Sequence, residues 1–333
     1  MKNKLIATLM LGCTVYAVTA QASYYTEGTV DVVRYDVITD VTYGQGAVMA
    51  ENENTMMDLT MDVYSPVEMT DEPLPAIILT HGGSFHRGNP RIPYVGIGGQ
   101  TTTMSQYAMR YAEEGYVVFT IKYRVAPDNP VIDMNEHYSN DLLLDFFQTP
   151  EAIHQGNVIR SQMGLELFTE DNVVEIMRNA VVAAAEDLRT ALHHVKAENA
   201  TYNIDPDLIA LGGFSAGAVT SINVAYGMQE DVAAVIANSG YPSVFNMDKL
   251  IDEESELPPG LFFLAQNDYP VVDMELKPFI KKLSSLNADY SFNWIPSHGH
   301  FYPSGVTSLG SDGSQMSVEQ RSIEFLNEVL KRK

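Results

Sequence analysis

The chain has 333 residues, room for one large α/β domain or two ordinary ones, and its 45% apolar content with unexceptional Gly and Pro marks it as globular. Its formal charge of −23 excludes nucleic acid and anionic lipid as partners, since such a surface repels polyanions. The single cysteine is Cys13, which lies in a leader-like segment, so thiolate catalysis and cysteine-held metals are excluded for the chain that follows it.

In chain order, the leader comes first. Lys2 and Lys4 precede a mostly apolar run over residues 5–18, too short to span a bilayer, and Ala20-Gln21-Ala22 is an A-x-A cleavage site. The expectation is a signal peptide over residues 1–22, a mature chain beginning at Ser23, and an exported, periplasmic or secreted protein. A lipoprotein signal ending at Cys13 is the alternative, but Met10-Leu11-Gly12 makes a poor lipobox. No later stretch is long and apolar enough for stable membrane insertion.

Residues 29–35 and 57–64 alternate apolar and polar side chains, as half-buried antiparallel strands do. Residues 75–80 form a continuous apolar run, the pattern of a strand buried on both faces. A helix is predicted over 103–114, a second buried strand over 116–123, and a long helix over 171–198 with Val181, Ala184, Leu188 and Leu192 at helical spacing. Further strands are predicted at 208–211, 233–238, 261–264 and 291–295, and a last helix at 318–330. Strands alternating with helices predict an α/β fold with a mainly parallel mixed sheet covered on both faces, a single domain over 23–333. The antiparallel-looking strands at the start belong at one edge of that sheet. Residues 125–170 break the rhythm. So long a stretch without strands, carrying Leu142, Leu143, Phe146, Phe147 and Met163, reads as a cap with short helices such as 138–147; a padding insertion at the sheet edge is the plainer alternative.

Gly213-Phe214-Ser215-Ala216-Gly217 is a G-x-S-x-G pattern directly after the strand at 208–211 and before a helix-compatible stretch. Small residues on either side let strand and helix approach closely, and the sharp turn lifts the serine hydroxyl above the sheet. A glycine-rich turn of this kind also binds phosphate, so the pattern alone decides little. A second loop, His81-Gly82-Gly83-Ser84-Phe85, follows the strand at 75–80 and can point backbone N–H groups at a substrate oxygen. With the N–H of Ala216, those of Gly83 and Ser84 are the candidate oxyanion donors. An acid and a base must follow in chain order. Asp268 follows the strand at 261–264 and His300 the strand at 291–295, with Asp273 and His298 as alternatives. A His-x-His pair at His298 and His300 could hold a metal, but no third ligand stands at readable spacing, so no metal and no cofactor are expected. His86, His137 and His154 carry no motif, and His193 and His194 read as helix-surface or packing residues.

With these motifs the chain resembles the α/β-hydrolase carboxylesterases, especially the feruloyl-esterase-like and hormone-sensitive-lipase-like bacterial group. The resemblance runs from about residue 58 onward through Leu59-Thr-Met-Asp-Val-Tyr-Ser-Pro66, His81-Gly-Gly, Tyr123-Arg124-Val-Ala-Pro127, Asp187 with Asn203-Ile-Asp-Pro206, Gly213-Phe-Ser-Ala-Gly217, Asp268 and Gly299-His300-Phe301. It implies cofactor-free hydrolysis of a small-molecule or polymer-derived carboxylic ester, a triad of Ser215, Asp268 and His300, donors from Gly83, Ser84 and Ala216, and a structural Asp187. Ser84 in place of glycine, Ala218 in place of a frequent second glycine, and the long 125–170 segment are departures. Phe85, Tyr94, Phe146, Phe147, Phe301 and Tyr302 are candidate pocket walls. A peptidase or amidase on the same triad, and a binding protein on an inactive hydrolase scaffold, are the rival readings.

Overall fold

The computed structural model describes residues 34–68, 72–96 and 99–330, together with the backbone of two short strand pieces, Tyr25–Thr26 and Thr29–Val30. The expected signal peptide at 1–22 lies outside the described residues.

The main sheet as described starts with a long antiparallel hairpin of β1, Tyr35–Ala50, and β2, Glu53–Pro66. Glu51 and Asn52 join them at φ 51° and 68°, the double left-handed geometry that matches the twist of flanking strands. The strand expected at 29–35 lies partly outside the described residues, which show a short strand piece at Thr29–Val30 and a long edge strand over Tyr35–Ala50. Two register shifts, at 38–41 and 42–44, interrupt its alternation, which hides it from a period-two pattern.

Next come β3, Leu74–Thr80; α1, Met104–Glu113; β4, Val117–Ile121; α2, Pro150–Gln162; α3, Val173–Ala197; and β5, Ile204–Phe214. The chain continues through α4, Ala216–Ile222; β6, Ala234–Asn238; β7, Gly260–Asn267; α5, Pro270–Ser285; and β8, Tyr290–Gly299. It closes with β9, Thr307–Gly310; β10, Gln315–Ser317; and α6, Val318–Leu330. Among the described residues the main sheet has ten strands in the order β10-β9-β8-β7-β6-β5-β3-β4-β2-β1. The run from β8 to β4 is parallel throughout, and antiparallel strands flank it on both edges. This is the α/β-hydrolase arrangement, a mostly parallel mixed sheet with helices on both faces.

The pleat divides the core in two. Ile78, Val117 and Phe119 join Val181, Leu188 and Leu192 of α3 and Leu276 and Phe279 of α5 on one face. Ile77, Leu79 and Val118 join Tyr107 and Tyr111 of α1 and Leu326 of α6 on the other. Adjacent residues of one strand thus serve opposite layers, which is why the central strands read as unbroken apolar runs. Asp187 on α3 fixes the start of the insertion. Its carboxylate accepts from the Arg124 backbone N–H at 2.7 Å and from the buried guanidinium at 2.7 and 3.0 Å, while Arg124 Nη1 donates to the carbonyls of Ala47 and Val131 at 2.8 Å each. This Asp187 ties hairpin, insertion and helix together.

The insertion holds short 3-10 turns at Ser139–Asp141 and Asp145–Gln148, and its one α-helix is α2. The helix expected near 138–147 is replaced by these turns because Leu142 and Leu143 extend to bridge Phe245 and Val244. Among the described residues no helix is long and apolar enough to cross a membrane.

Candidate active site

Strand β5 delivers Ser215 at its carboxyl end, and the turn into α4 holds the residue at φ 55° and ψ −122°. A non-glycine residue in that region costs on the order of 1–3 kcal/mol and persists only where its surroundings enforce it. Here the Ser215 N–H donates to the Asn238 carbonyl at the end of β6, 2.9 Å away. The flanking glycines are sterically required. A Cβ on Gly217 would stand 1.9 Å from the Thr80 carbonyl oxygen, and one on Gly213 would stand 2.5 Å from the Gly217 carbonyl carbon. The motif is thus a close approach of the ends of β3 and β5 to the first turn of α4.

His300 and Asp268 arrive from the ends of β8 and β7. His300 Nε2 lies 2.8 Å from Ser215 Oγ, and His300 Nδ1 lies 2.6 Å from Asp268 Oδ1. The other carboxylate oxygen accepts from Ser239 Oγ at 2.5 Å, and the Tyr269 N–H donates to Oδ1 at 2.8 Å. Burial opposes ionisation of Asp268, but the bonds from His300, Ser239 and Tyr269 outweigh it and hold the carboxyl below its ordinary range. The carboxylate is therefore ionised beside the imidazole, fixing the tautomer with hydrogen on Nδ1 and a lone pair on Nε2 toward Ser215. The Tyr269 ring lies over the imidazole at 4.4 Å between centroids, with Phe214 at 5.1 Å.

The alternatives Asp273 and His298 fall elsewhere. Asp273 sits on α5 in an ion pair with Lys277, and His298 Nδ1 hydrogen-bonds the Pro296 carbonyl.

The loop after β3 turns back over the serine. Gly82 packs against Phe214 and Ser215, and its carbonyl accepts from His81 Nδ1 at 2.7 Å and from the Tyr94 hydroxyl at 2.5 Å. Gly83 has φ 120°, and a Cβ there would stand 1.7 Å from the Arg87 carbonyl oxygen. Ser84 and Phe85 follow at φ 55° and 60°. Among the described turn, loop and cap hydrogen bonds, none uses the N–H of Gly83, Ser84 or Ala216. Ser84 and Ala216 line the same cavity as Ser215 and His300; Gly83 is not part of that lining.

The cavity measures about 370 Å³. Phe146, Phe147, Val158, Ile159 and Phe168 reach it from the insertion, and Val181 and Val219 from α3 and α4. The 125–170 segment therefore covers the carboxyl ends of the strands above Ser215. Of the candidate aromatic walls, Phe85, Phe146 and Phe147 line the cavity. Tyr94 and Tyr302 pack on Phe214, while Phe301 packs between Phe214 and His300. No Lys, Arg, Asp or Glu is among the lining residues.

Sequence reasoning missed Ser239 as the second partner of the Asp268 carboxylate, although it stands directly after β6, the neighbour of the serine strand. It also left His86 without a role, although His86 lines the cavity two residues beyond Ser84.

A family model for the dienelactone hydrolase family matches residues 94–330, more than two thirds of the chain. A search of curated proteins finds no match. Among solved structures, a truncated carbohydrate esterase from gut microbiota is similar at TM-score 0.54 and 14% identity, covering 90% of this chain and 98% of that one. MGS-M1, an α/β-hydrolase enzyme from a Medee basin deep-sea metagenome library, is similar at TM-score 0.53 and 16% identity, covering 90% and 100%. Esterase 2 of Thermogutta terrifontis, phosphoramylated by tabun, is similar at TM-score 0.51 and 15% identity, covering 89% and 94%. At these identities the likeness is one of fold. The feruloyl-esterase-like and hormone-sensitive-lipase-like subgroup is not singled out by these matches.

Proposed function

The chain belongs to the dienelactone hydrolase family, and as such is an ester hydrolase; from that premise we propose that it cleaves uncharged carboxylic esters through an acyl-enzyme on Ser215. The observation that carries this reading is the hydrogen-bonded line from Asp268 through His300 to Ser215 Oγ at the floor of an apolar cavity. In the reaction, Ser215 Oγ attacks the ester carbonyl and His300 Nε2 takes its proton. Asp268 stabilises the imidazolium that results, and the N–H groups of Ala216 and Ser84 face the developing oxyanion. The tetrahedral intermediate expels the alcohol, which leaves with the proton from His300. Water, deprotonated by the same imidazole, then releases the acid and restores Ser215. The N–H of Gly83, which like those of Ser84 and Ala216 makes none of the described loop hydrogen bonds, is the third candidate donor.

The test is Ser215→Ala, assayed on p-nitrophenyl esters of graded chain length. The expected outcome is a loss of at least about a thousandfold in kcat with an unchanged fold. A small fluorophosphonate should label the native protein and not the variant. A variant that keeps a tenth of native turnover, with contamination excluded, would sink the assignment. Absence of labelling in the native protein would favour a binding scaffold instead.

We also infer export, on the charged start, apolar run and Ala20-Gln21-Ala22 site of the leader. Mass spectrometry of the N-terminus after expression in a secreting host should find Ser23 first.

A further inference from the structure

Ser239 directly follows β6 and is 1% exposed. Its backbone sits at φ 51°, in the left-handed region, and its N–H donates to the Phe263 carbonyl of β7 at 3.0 Å. A glycine would carry that backbone without strain, whereas a residue with a Cβ must be held there by its surroundings. What the serine adds over glycine is a hydroxyl. Its Oγ is 2.5 Å from Asp268 Oδ2 and 3.2 Å from the Tyr302 hydroxyl. An ionised carboxylate only accepts, so the one hydrogen of Ser239 goes to Asp268, and the Tyr302 hydroxyl donates to Ser239 Oγ. Tyr302 is 2% exposed and packs edge-on against Phe214, the residue before Ser215, at 6.0 Å between centroids. Burial pushes its ionisation above the ordinary tyrosine range, so it keeps the hydrogen it donates. A line of donors thus runs from Tyr302 through Ser239 to Asp268 Oδ2, the carboxylate oxygen that does not hold His300.

We propose that Ser239 and Tyr302 are positioning residues for the triad: together they fix the Asp268 carboxylate toward His300 and draw off part of its charge, which sets how tightly the imidazole holds a proton. This rests on the reading of Ser215, His300 and Asp268 as the triad of an ester hydrolase. The Tyr269 N–H donates to Oδ1, the oxygen His300 already uses. Without Ser239, the described donors leave Oδ2 only the Ala265 N–H at 3.4 Å. An oxygen so poorly paired keeps more of its charge, and the carboxylate then binds the imidazolium harder. Tyr241, Tyr269 and Tyr302 stand near this carboxylate, with Glu275 of α5 acting on Tyr241 and Arg87 on Tyr269. Burial raises all three tyrosines, so none of them titrates alongside the imidazole.

The experiment uses the full chain with Ser239→Ala, which removes only the hydroxyl, and Tyr302→Phe, which keeps the ring. Ser239→Gly takes the place of the alanine variant should that one fail to fold, since glycine is at ease at this φ. Two quantities are read: the pH profile of kcat/KM on a p-nitrophenyl ester, and the NMR titration of the His300 ring, assigned by its loss in His300→Gln. In Ser239→Ala, kcat should fall on the order of tenfold, what one hydrogen bond to a charged group is worth, while KM moves little. The acid limb and the ring titration should both move up by about half a pH unit or more. Tyr302→Phe should move them the same way by less, and should add nothing in the Ser239→Ala background, because its hydroxyl acts through Ser239. A titration that stays in place or moves down in Ser239→Ala overturns the proposal; with a change in KM instead, it is what a serine that merely fills the cavity wall would give. A Tyr302→Phe effect that is absent, or that adds in full to that of Ser239→Ala, overturns it equally. The NMR reading needs no substrate, and native ester turnover, abolished by Ser215→Ala, reports separately on the ester-hydrolase reading, so the two can fail independently.

Discussion

His81 opens the loop over Ser215, and its protonation state reaches the stability of the whole chain. Its ring stacks on Tyr123 at 4.3 Å with 17° between planes, and Nδ1 donates to the Gly82 carbonyl. Burial pushes its pKa from 6.5 down to about 4, against the opposing effect of that hydrogen bond. Between those values the unfolded chain binds a proton that the folded one refuses, so stability rises with pH across the window. The contribution is fully present above the unfolded value and is lost progressively as pH falls toward the folded one, about 3 kcal/mol in all. The denaturation midpoint should therefore drop between about pH 7 and pH 5, and His81→Asn should flatten that slope. His86, also lowered by burial, leaves a smaller residual slope. An equal slope in the variant would mean that other groups set it. The residues easiest to read from sequence were Ser215, Asp268 and His300, because each follows a strand end within a short signature. Ser239 and His86 were illegible for the opposite reason. Their importance lies in contacts between the ends of different strands and with the insertion, which only the strand order supplies.

The elements followed the same division. Buried strands and the long amphipathic α3 announced themselves by apolar runs and helical spacing. Helix α5 did not, since Pro270 and Pro278 both read as breakers; Pro270 in fact occupies the first turn, where a missing N–H costs little. The β9–β10 hairpin is too short for a pattern. The insertion was legible as a break in the strand–helix rhythm rich in apolar residues, but not in its helix. Thr149 caps α2 by accepting from the Ala152 N–H, with Pro150 in the first turn, and Gly156 lets the Phe168 ring pack within 2.5 Å of where a Cβ would be. Arg160 lies over that ring at 4.4 Å, and Arg87 reaches Gln162 at 3.4 Å. The insertion thus contributes apolar wall and no triad residue. Each acyl methylene buried against such a wall is worth ~0.8 kcal/mol, about fourfold in kcat/KM. Native enzyme should show that gradient over the chain lengths that fit. Replacing residues 139–165 by a Gly/Ser linker should flatten it while fluorophosphonate labelling of Ser215 persists. Phe146→Ala, at a half-exposed position, should flatten it partly without endangering the fold. An unchanged gradient in both variants would reduce the segment to edge padding.

At the scale of the whole molecule, charge and site stand in contrast. The chain carries 43 acidic against 20 basic side chains, while the cavity is lined by neutral ones. Several of the basic residues are already committed: Arg124 to Asp187 in the interior, Arg91 to Asp62, Arg110 to Glu319, Arg189 to Glu136. The remaining acids repel one another across the surface, and that repulsion opposes the compact state. Its range shrinks from about 30 Å at 0.01 M salt to about 8 Å at 0.15 M. Tm at constant neutral pH should therefore rise between those salt concentrations, because the acidic side chains outnumber the basic ones by about two to one. The same field acts on substrates before they reach Ser215. An uncharged ester approaches without electrostatic work, so its kcat/KM should be nearly indifferent to salt. An ester carrying a carboxylate is repelled at long range and meets no cation inside, so its kcat/KM should be low and should climb with salt. Measuring the pair side by side over that salt range separates field from pocket. A carboxylated ester turned over as fast as its neutral analogue at low salt would show that the acidic surface does not govern access to the site.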